Sequence, residues 1–315
     1  MSVAFLFPGQ GSQAVGMGKA LHDAFPAARA VFEEVDAALG EKLSTLMFEG
    51  DAAELTLTAN AQPALMAVSL AALRALEAEK GVDVAREAAF VAGHSLGEYS
   101  ALAAAGALSI SDAARLLRLR GQAMQKAVPV GEGAMAALLG AEPEQAAKIA
   151  GEAAAAAGAL CEVANDNGGG QIVVSGAKKA VDLAIEIAKE NGIKRAMLLP
   201  VSAPFHCALM APAAEAMREA LAQTEIRPPV VDVVANVTAA PVRDPDQIRQ
   251  LLVAQVCGTV RWRECMAFMH GQGVHLFVEI GAGKVLAGLV KRTAPGAQAL
   301  NVGVPTEVDN FLFTA

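Results

Sequence analysis

The pentapeptide Gly93, His94, Ser95, Leu96, Gly97 constrains the fold more than any other segment of the chain. It lies between a strand-like apolar run, Phe90 to Ala92, and a helix-like run, Gly97 to Ala105. A GxSxG in that setting is a nucleophile elbow, a tight strand-to-helix turn that exposes the serine hydroxyl above a helix N-terminus. The glycines two residues to either side of Ser95 have a mechanical reason, since the backbone there passes too close for a side chain. The chemistry implied is acyl transfer through a serine ester. Five residues match by chance often enough that the rest of the chain has to supply a base and a substrate-binding group.

The sequence on either side supports an α/β alternation. Val3 to Phe7 reads as a strand, Pro26 to Leu39 as a helix closed by Gly40, and Pro63 to Lys80 as a helix closed by Gly81. The elbow strand and helix follow, closed by Gly106. Such alternation implies a mainly parallel sheet with helices on both faces. From Ala134 the order changes to strand (Met135 to Leu139), helix (Pro143 to Ala157), strands (Leu160 to Ala164 and Gln171 to Ser175), helix (Val181 to Glu190) and strand (Lys194 to Pro200). This βαββαβ order is ferredoxin-like and predicts an inserted subdomain at 128–201, with the core formed by 1–127 and 202–315. The core resumes with helices at Leu209 to Gln223, Asp246 to Val256, Arg263 to His270 and Val285 to Arg292, and strands at Val230 to Ala235 and Val274 to Ile280.

With 315 residues, 54% of them apolar, the chain has enough material for one large core and a smaller one. Two long stretches lack charged residues, Leu55 to Leu73 and Ala196 to Ala214. The first holds Asn60, Gln62 and Pro63, and the second is broken by Pro200, Pro204 and Pro212, so neither reads as a membrane span. No Lys or Arg precedes Lys19, so the basic head of a secretory signal is lacking and a cytoplasmic protein is expected. Cys161, Cys207, Cys257 and Cys265 have no metal-ligand spacing and are expected as reduced thiols. The net charge of −8 argues against nucleic acid as a partner, while leaving room for a local basic patch.

Of the five histidines, His206 is the candidate base. It follows the predicted insert directly, in the loop Val201, Ser202, Ala203, Pro204, Phe205, which places it in the cleft between the two subdomains. His22, His94, His270 and His275 read as structural. Arg120 is the candidate anion-binding group. On a helix capped by Ser111 and running through Ala127, a step of about 100° per residue puts Ala113, Leu116, Leu117, Ala123, Met124 and Ala127 on one apolar face. Arg115, Arg118, Gln122, Gln125 and Lys126 fall opposite, but Arg120 projects into the middle of the apolar face. Three readings are open for a guanidinium there: a salt bridge to a core carboxylate, a stem packed flat with the head snorkelling out to solvent, or a substrate carboxylate held by two parallel hydrogen bonds.

These residues resemble a family, the malonyl-CoA:acyl carrier protein transacylases of fatty acid synthesis and the related acyltransferase domains of polyketide synthases. Phe7, Pro8, Gly9, Gln10, Gly11, Ser12, Gln13 are similar to its N-terminal signature, and the elbow extended by Glu98 and Tyr99 to its nucleophile motif. Arg120 with Gly121 matches its carboxylate-binding arginine, and Ala203, Pro204, Phe205, His206 its catalytic-histidine segment. Asn165 to Gly176 and Glu279 to Arg292 resemble two further segments, so the likeness runs from Val3 to about Val304. Two departures stand out: Ala282 where proline is common, and Gly168 to Gly170 where Ser-Pro-Gly is usual.

The resemblance implies an α/β-hydrolase-like core with a ferredoxin-like insert and a two-step exchange on malonyl-CoA and acyl carrier protein. Ser95 would be the nucleophile, His206 the base, and the backbone N–H groups of Gln10 and Leu96 the oxyanion hole. Arg120 would bind the malonyl carboxylate, and Phe205 would occupy the space of an α-methyl group. The carbonyl of Gln255, rather than an acidic side chain, would orient His206. No metal or bound cofactor is implied, since CoA and phosphopantetheine enter as substrate groups. Lys194 with Arg195, and Lys291 with Arg292, are candidate docking pairs for an acidic carrier protein. A serine thioesterase or hydrolase, and a non-catalytic carrier-protein docking subunit, are the alternative readings.

Overall fold

The strand β1 (Ser2–Phe7) is apolar on both faces, as the centre of a parallel sheet requires. Val3, Phe5 and Phe7 face one hydrophobic cluster, and Ala4 and Leu6 face another. In the computed structural model, which describes residues 2–201 and 203–312, β1 pairs with β2 (Ala88–Gly93) on one side and β9 (Val274–Ile280) on the other, both parallel. Ser202 and the chain ends at Met1 and Ala315, which bound the predicted segments, lie outside the described residues. The six-stranded sheet is completed by β10 (Gln298–Val302), β7 (Asp232–Ala235) and β8 (Ala240–Val242), in the order β10-β9-β1-β2-β7-β8. Only β8 runs antiparallel, at the edge.

The second sheet contains β3 (Gly133–Leu139), β4 (Cys161–Asp166), β5 (Gln171–Ala177) and β6 (Arg195–Leu198), in the order β4-β5-β3-β6 and antiparallel throughout. This is the ferredoxin-like order read from the sequence. Helices Pro143–Ala157 and Lys178–Glu190 cover it, closing a cluster of its own around Leu138, Ile149, Val174 and Val181.

Two local readings need correction. The Arg120 helix spans Ile110–Ala127 and is capped by Ser109, not Ser111: the Asp112 N–H donates to Ser109 Oγ at 3.0 Å, and Ser109 Oγ donates back to Asp112 Oδ2 at 2.6 Å. That reciprocal pair is the stronger cap, and Ser111 bonds Glu34 instead. The helix predicted to begin at Pro63 begins at Thr58, so Pro63 lies inside it, in the second turn, where its missing N–H forgoes the one bond to the Ala59 carbonyl. Strands β8 and β10 are half-exposed edge strands whose pattern is too weak to have been read. Among the described residues no helix is long and apolar enough to cross a membrane.

Candidate active site

The elbow sits at the carboxyl end of β2, where ligands gather in open α/β sheets. A Cβ on Gly93 would lie 1.9 Å from the Gly97 carbonyl, and one on Gly97 would lie 2.2 Å from Phe7 O, so both positions demand glycine. Ser95 itself has φ 53°, in the left-handed region. Its amide donates to Asn236 Oδ1 at 2.8 Å, and Asn236 Nδ2 donates to Gly93 O at 2.8 Å, a clamp that holds the strained turn from the end of β7.

Ser95 Oγ lies 2.8 Å from His206 Nε2. On the other side of the ring, Nδ1 lies 2.9 Å from the backbone carbonyl of Gln255, so an N–H at Nδ1 donates to it and leaves Nε2 free to accept. Burial, and secondarily the charge of Arg120, push the His206 pKa down to about 3, so the imidazole is neutral and available as a base. Leu96 and Gln10 flank the serine in the same cavity, and among the described residues their N–H groups donate to no protein acceptor.

Arg120 is 1% exposed. Its Nη1 donates to Gln62 Oε1 at 2.7 Å, and its Nη2 to Gln255 Oε1 at 2.9 Å and to Ser95 Oγ at 3.2 Å. Its Nε is buried without a partner, and no carboxylate pairs with it among the described residues. Of the two anions the sequence left open, a core carboxylate is therefore absent at salt-bridge distance. Burial holds its pKa below the ordinary guanidinium value, while Tyr99 and Glu98 work against that shift.

These groups converge on a cavity of about 410 Å³ between the two sheets, lined by Gln10, Arg120 and His206 from one side and Met135, Asn165 and Val173 from the other. Phe205 is also in the wall and is 8% exposed. The structure thus brings together every residue singled out from the sequence for the site. His94 turns away from the serine, with Nε2 2.7 Å from Asn167 Oδ1 and its ring against Trp262. His22 meets Asp23, and His270 meets the carbonyl of Val274. Gly168, Gly169 and Gly170 are all left-handed, and Cβ atoms on the first two would strike Thr293 and Arg292, which explains three glycines in a row.

Sequence reasoning missed Gln62, Asn236, Glu98 and the side chain of Gln255. Gln62 was visible only as a polar residue in an uncharged stretch, and Asn236 as a polar residue ending an apolar strand. Glu98 is buried at 3% exposure in the first turn of the elbow helix, Gly97–Ala104, where burial raises its pKa to about 7.

An α/β sheet with a serine elbow, a neutral histidine and an unpaired buried arginine defines a serine acyltransferase-type site. The chain belongs to the acyl transferase domain family, whose model matches residues 4–308. It is 50% identical to the malonyl CoA-acyl carrier protein transacylase of Bacillus subtilis strain 168, over 98% of this chain and 95% of the relative. A solved acyl-carrier-protein S-malonyltransferase from Bartonella henselae superposes with a TM-score of 0.95 at 57% identity, covering 98% of both chains. A malonyl-transacylase solved in complex with its type II PKS acyl-carrier protein superposes with a TM-score of 0.93 at 41% identity, again over 98% of both chains.

Proposed function

We propose that this protein transfers the malonyl group of malonyl-CoA to the phosphopantetheine thiol of holo acyl carrier protein through an ester on Ser95, supplying fatty acid synthesis. In the first half-reaction His206 Nε2 takes the Ser95 proton as Oγ attacks the thioester carbonyl. The N–H groups of Leu96 and Gln10, both unengaged by protein, stabilise the tetrahedral oxyanion, and loss of one such donor typically costs ~10² to 10³ in rate. The C–S bond then breaks, and CoA leaves with the proton from His206. In the second half-reaction the phosphopantetheine thiol gives its proton to His206 and attacks the ester, and Ser95 leaves reprotonated.

The observation that carries this reading is Arg120, a buried guanidinium beside Ser95 Oγ with an unengaged Nε and, among the described residues, no carboxylate partner. A substrate carboxylate completes it, and an acetyl group does not. Phe205 in the cavity wall leaves malonyl preferred over a branched α-methyl analogue. A thioesterase or hydrolase has no use for a cation there, and a docking subunit has no use for the Ser95–His206 pair.

Residues 1–127 and 202–315 are read as the body carrying Ser95, Arg120 and His206, and 128–201 as the subdomain that closes the cavity; the separate hydrophobic cluster of the second sheet supports that division. The exposed pairs Lys194 with Arg195 and Lys291 with Arg292 are read as docking points for the acidic carrier protein. No bound cofactor is called for, and a cytoplasmic location suits soluble CoA and carrier-protein substrates.

The test incubates the protein with malonyl-CoA, with and without holo carrier protein, and follows the malonyl group. Accumulation on the carrier faster than release of free malonate supports transfer. Hydrolysis at equal rate in both arms contradicts it.

A further inference from the structure

Among the described residues Arg120 lacks a contacting carboxylate, yet a carboxylate stands one amide away. Gln255 Oε1 accepts from Arg120 Nη2 at 2.9 Å, while Gln255 Nε2 donates to Glu98 Oε2 at 2.9 Å and to the Ser95 carbonyl at 3.0 Å. Glu98 Oε2 also accepts the backbone N–H of Asn236 at 2.9 Å, the residue whose Oδ1 holds the Ser95 amide. The side-chain amide of Gln255 is thus aligned between an anion and a cation, its N–H edge toward the one and its oxygen toward the other. From this geometry we infer that Glu98 is the counter-charge and positioning residue of the Arg120 clamp, acting on substrate choice through Gln255.

A glutamine amide can be turned over at little cost unless a neighbour accepts only or donates only. Arg120 donates only, and ionised Glu98 and the Ser95 carbonyl accept only, so together they fix the N–H edge of Gln255 toward Glu98 and its oxygen toward Arg120, and the charge of Glu98 adds polarisation along that line. Cooperative polarisation along such a chain strengthens each bond in a dry interior. The carboxylate sits in the first turn of the elbow helix, where the helix dipole favours its charge and opposes the cost of burial. Glu98 does not line the cavity, so its effect would reach the malonyl group through Gln255 and Arg120.

Discrimination between malonyl and acetyl should then depend on the charge of Glu98. The ionisable groups around Glu98 are Arg120, Tyr99 and Cys265, with His206 and His94 beyond. Burial raises Tyr99 to about 12 and raises Cys265 too; it lowers His206 to about 3 and lowers His94, and Arg120 stays cationic. Glu98, near 7, is the member of this group that changes charge around neutrality.

The inference rests on the proposed function, and its test separates the two. kcat/KM for malonyl-CoA and for acetyl-CoA is measured from about pH 8 to about pH 5 for the wild type and Glu98→Gln, a range in which the malonyl carboxylate stays ionised. The ratio of the two values cancels the serine and histidine chemistry common to both substrates. The expected result is a wild-type ratio that falls roughly tenfold as the pH drops, and a Glu98→Gln ratio that is low and flat throughout. A flat wild-type ratio, or a Glu98→Gln ratio equal to the wild-type one at about pH 8, overturns the inference. If Glu98→Gln does not fold, the wild-type profile decides alone. A wild type with no malonyl transfer at all overturns the proposed function itself.

Discussion

Ser95 and His206 lie 111 positions apart in sequence, yet both hold the left-handed backbone conformation, at φ 53° and 58°, and their side chains meet at 2.8 Å. Neither residue is glycine, so each conformation has to be sustained by its surroundings at a cost of about 1–3 kcal/mol. Asn236 sustains the first through the Ser95 amide, and the Gln255 carbonyl at Nδ1 fixes the ring of the second. The strain sits in the backbone of the two residues proposed to exchange a proton.

Replacing His206 by Ala removes the proposed base but leaves Arg120 and its partners in place. Acylation of Ser95 should slow by about 10² to 10⁴, with the KM for malonyl-CoA changing much less. Single-turnover measurement of ester formation reads this directly; an acylation rate within a few-fold of wild type would assign the base elsewhere.

Gly93→Ala places a methyl group 1.9 Å from the Gly97 carbonyl, a contact that no rotamer change relieves because a Cβ is fixed to its chain and the carbonyl is backbone. The elbow must open, and the expected loss of stability exceeds about 4 kcal/mol, visible as a lowered denaturation midpoint or loss of soluble protein. A midpoint unchanged from wild type would show that the turn is less tightly packed than described.

Much of the site was legible because its chemistry breaks local patterns. Ser95 lies in a motif that only a tight turn explains, and Arg120 is a lone cation on an otherwise apolar stripe. Gln62, Asn236 and the Gln255 side chain break no pattern, since a neutral amide is equally at home on a surface, and their burial follows only from long-range packing. The parallel sheet and the βαββαβ insert were legible from the alternation of runs. Edge strands β8 and β10 were not, because a half-exposed strand of three to five residues has almost no periodicity to detect.

Glu98→Gln should change stability in a pH-dependent way. The Glu98 pKa is raised from 4.5 to about 7 on folding, so its relative stabilisation is full below 4.5 and lost as the pH rises through 7. The neutral variant escapes that loss and should gain about 2–3 kcal/mol over wild type between about pH 5 and about pH 8. His206 acts in the opposite sense: its pKa is lowered to about 3, so its contribution is present above its ordinary value of 6.5 and is lost as the pH falls toward 3. Because both proteins carry His206, its effect cancels in the comparison. Denaturant titrations of the two proteins at both pH values check this, and an equal difference at each would contradict it.

The protein carries a net charge of −8, so an acidic carrier protein needs a local basic patch to approach. Neutralising Lys194, Arg195, Lys291 and Arg292 together should lower kcat/KM for the carrier about tenfold at low salt and flatten its salt dependence. The half-reaction with malonyl-CoA should be unaffected. An unchanged salt slope would place the docking surface elsewhere.

The central claim is that Arg120 selects the acyl group that Ser95 accepts, and the most direct measurement compares Ser95 acylation by malonyl-CoA and acetyl-CoA in the wild type and Arg120→Ala. Removing the guanidinium should cost malonyl transfer about 3–5 kcal/mol of transition-state stabilisation while acetyl transfer changes little or improves, so that the preference collapses. Equal loss for both acyl groups, or a preserved malonyl preference, would contradict the account.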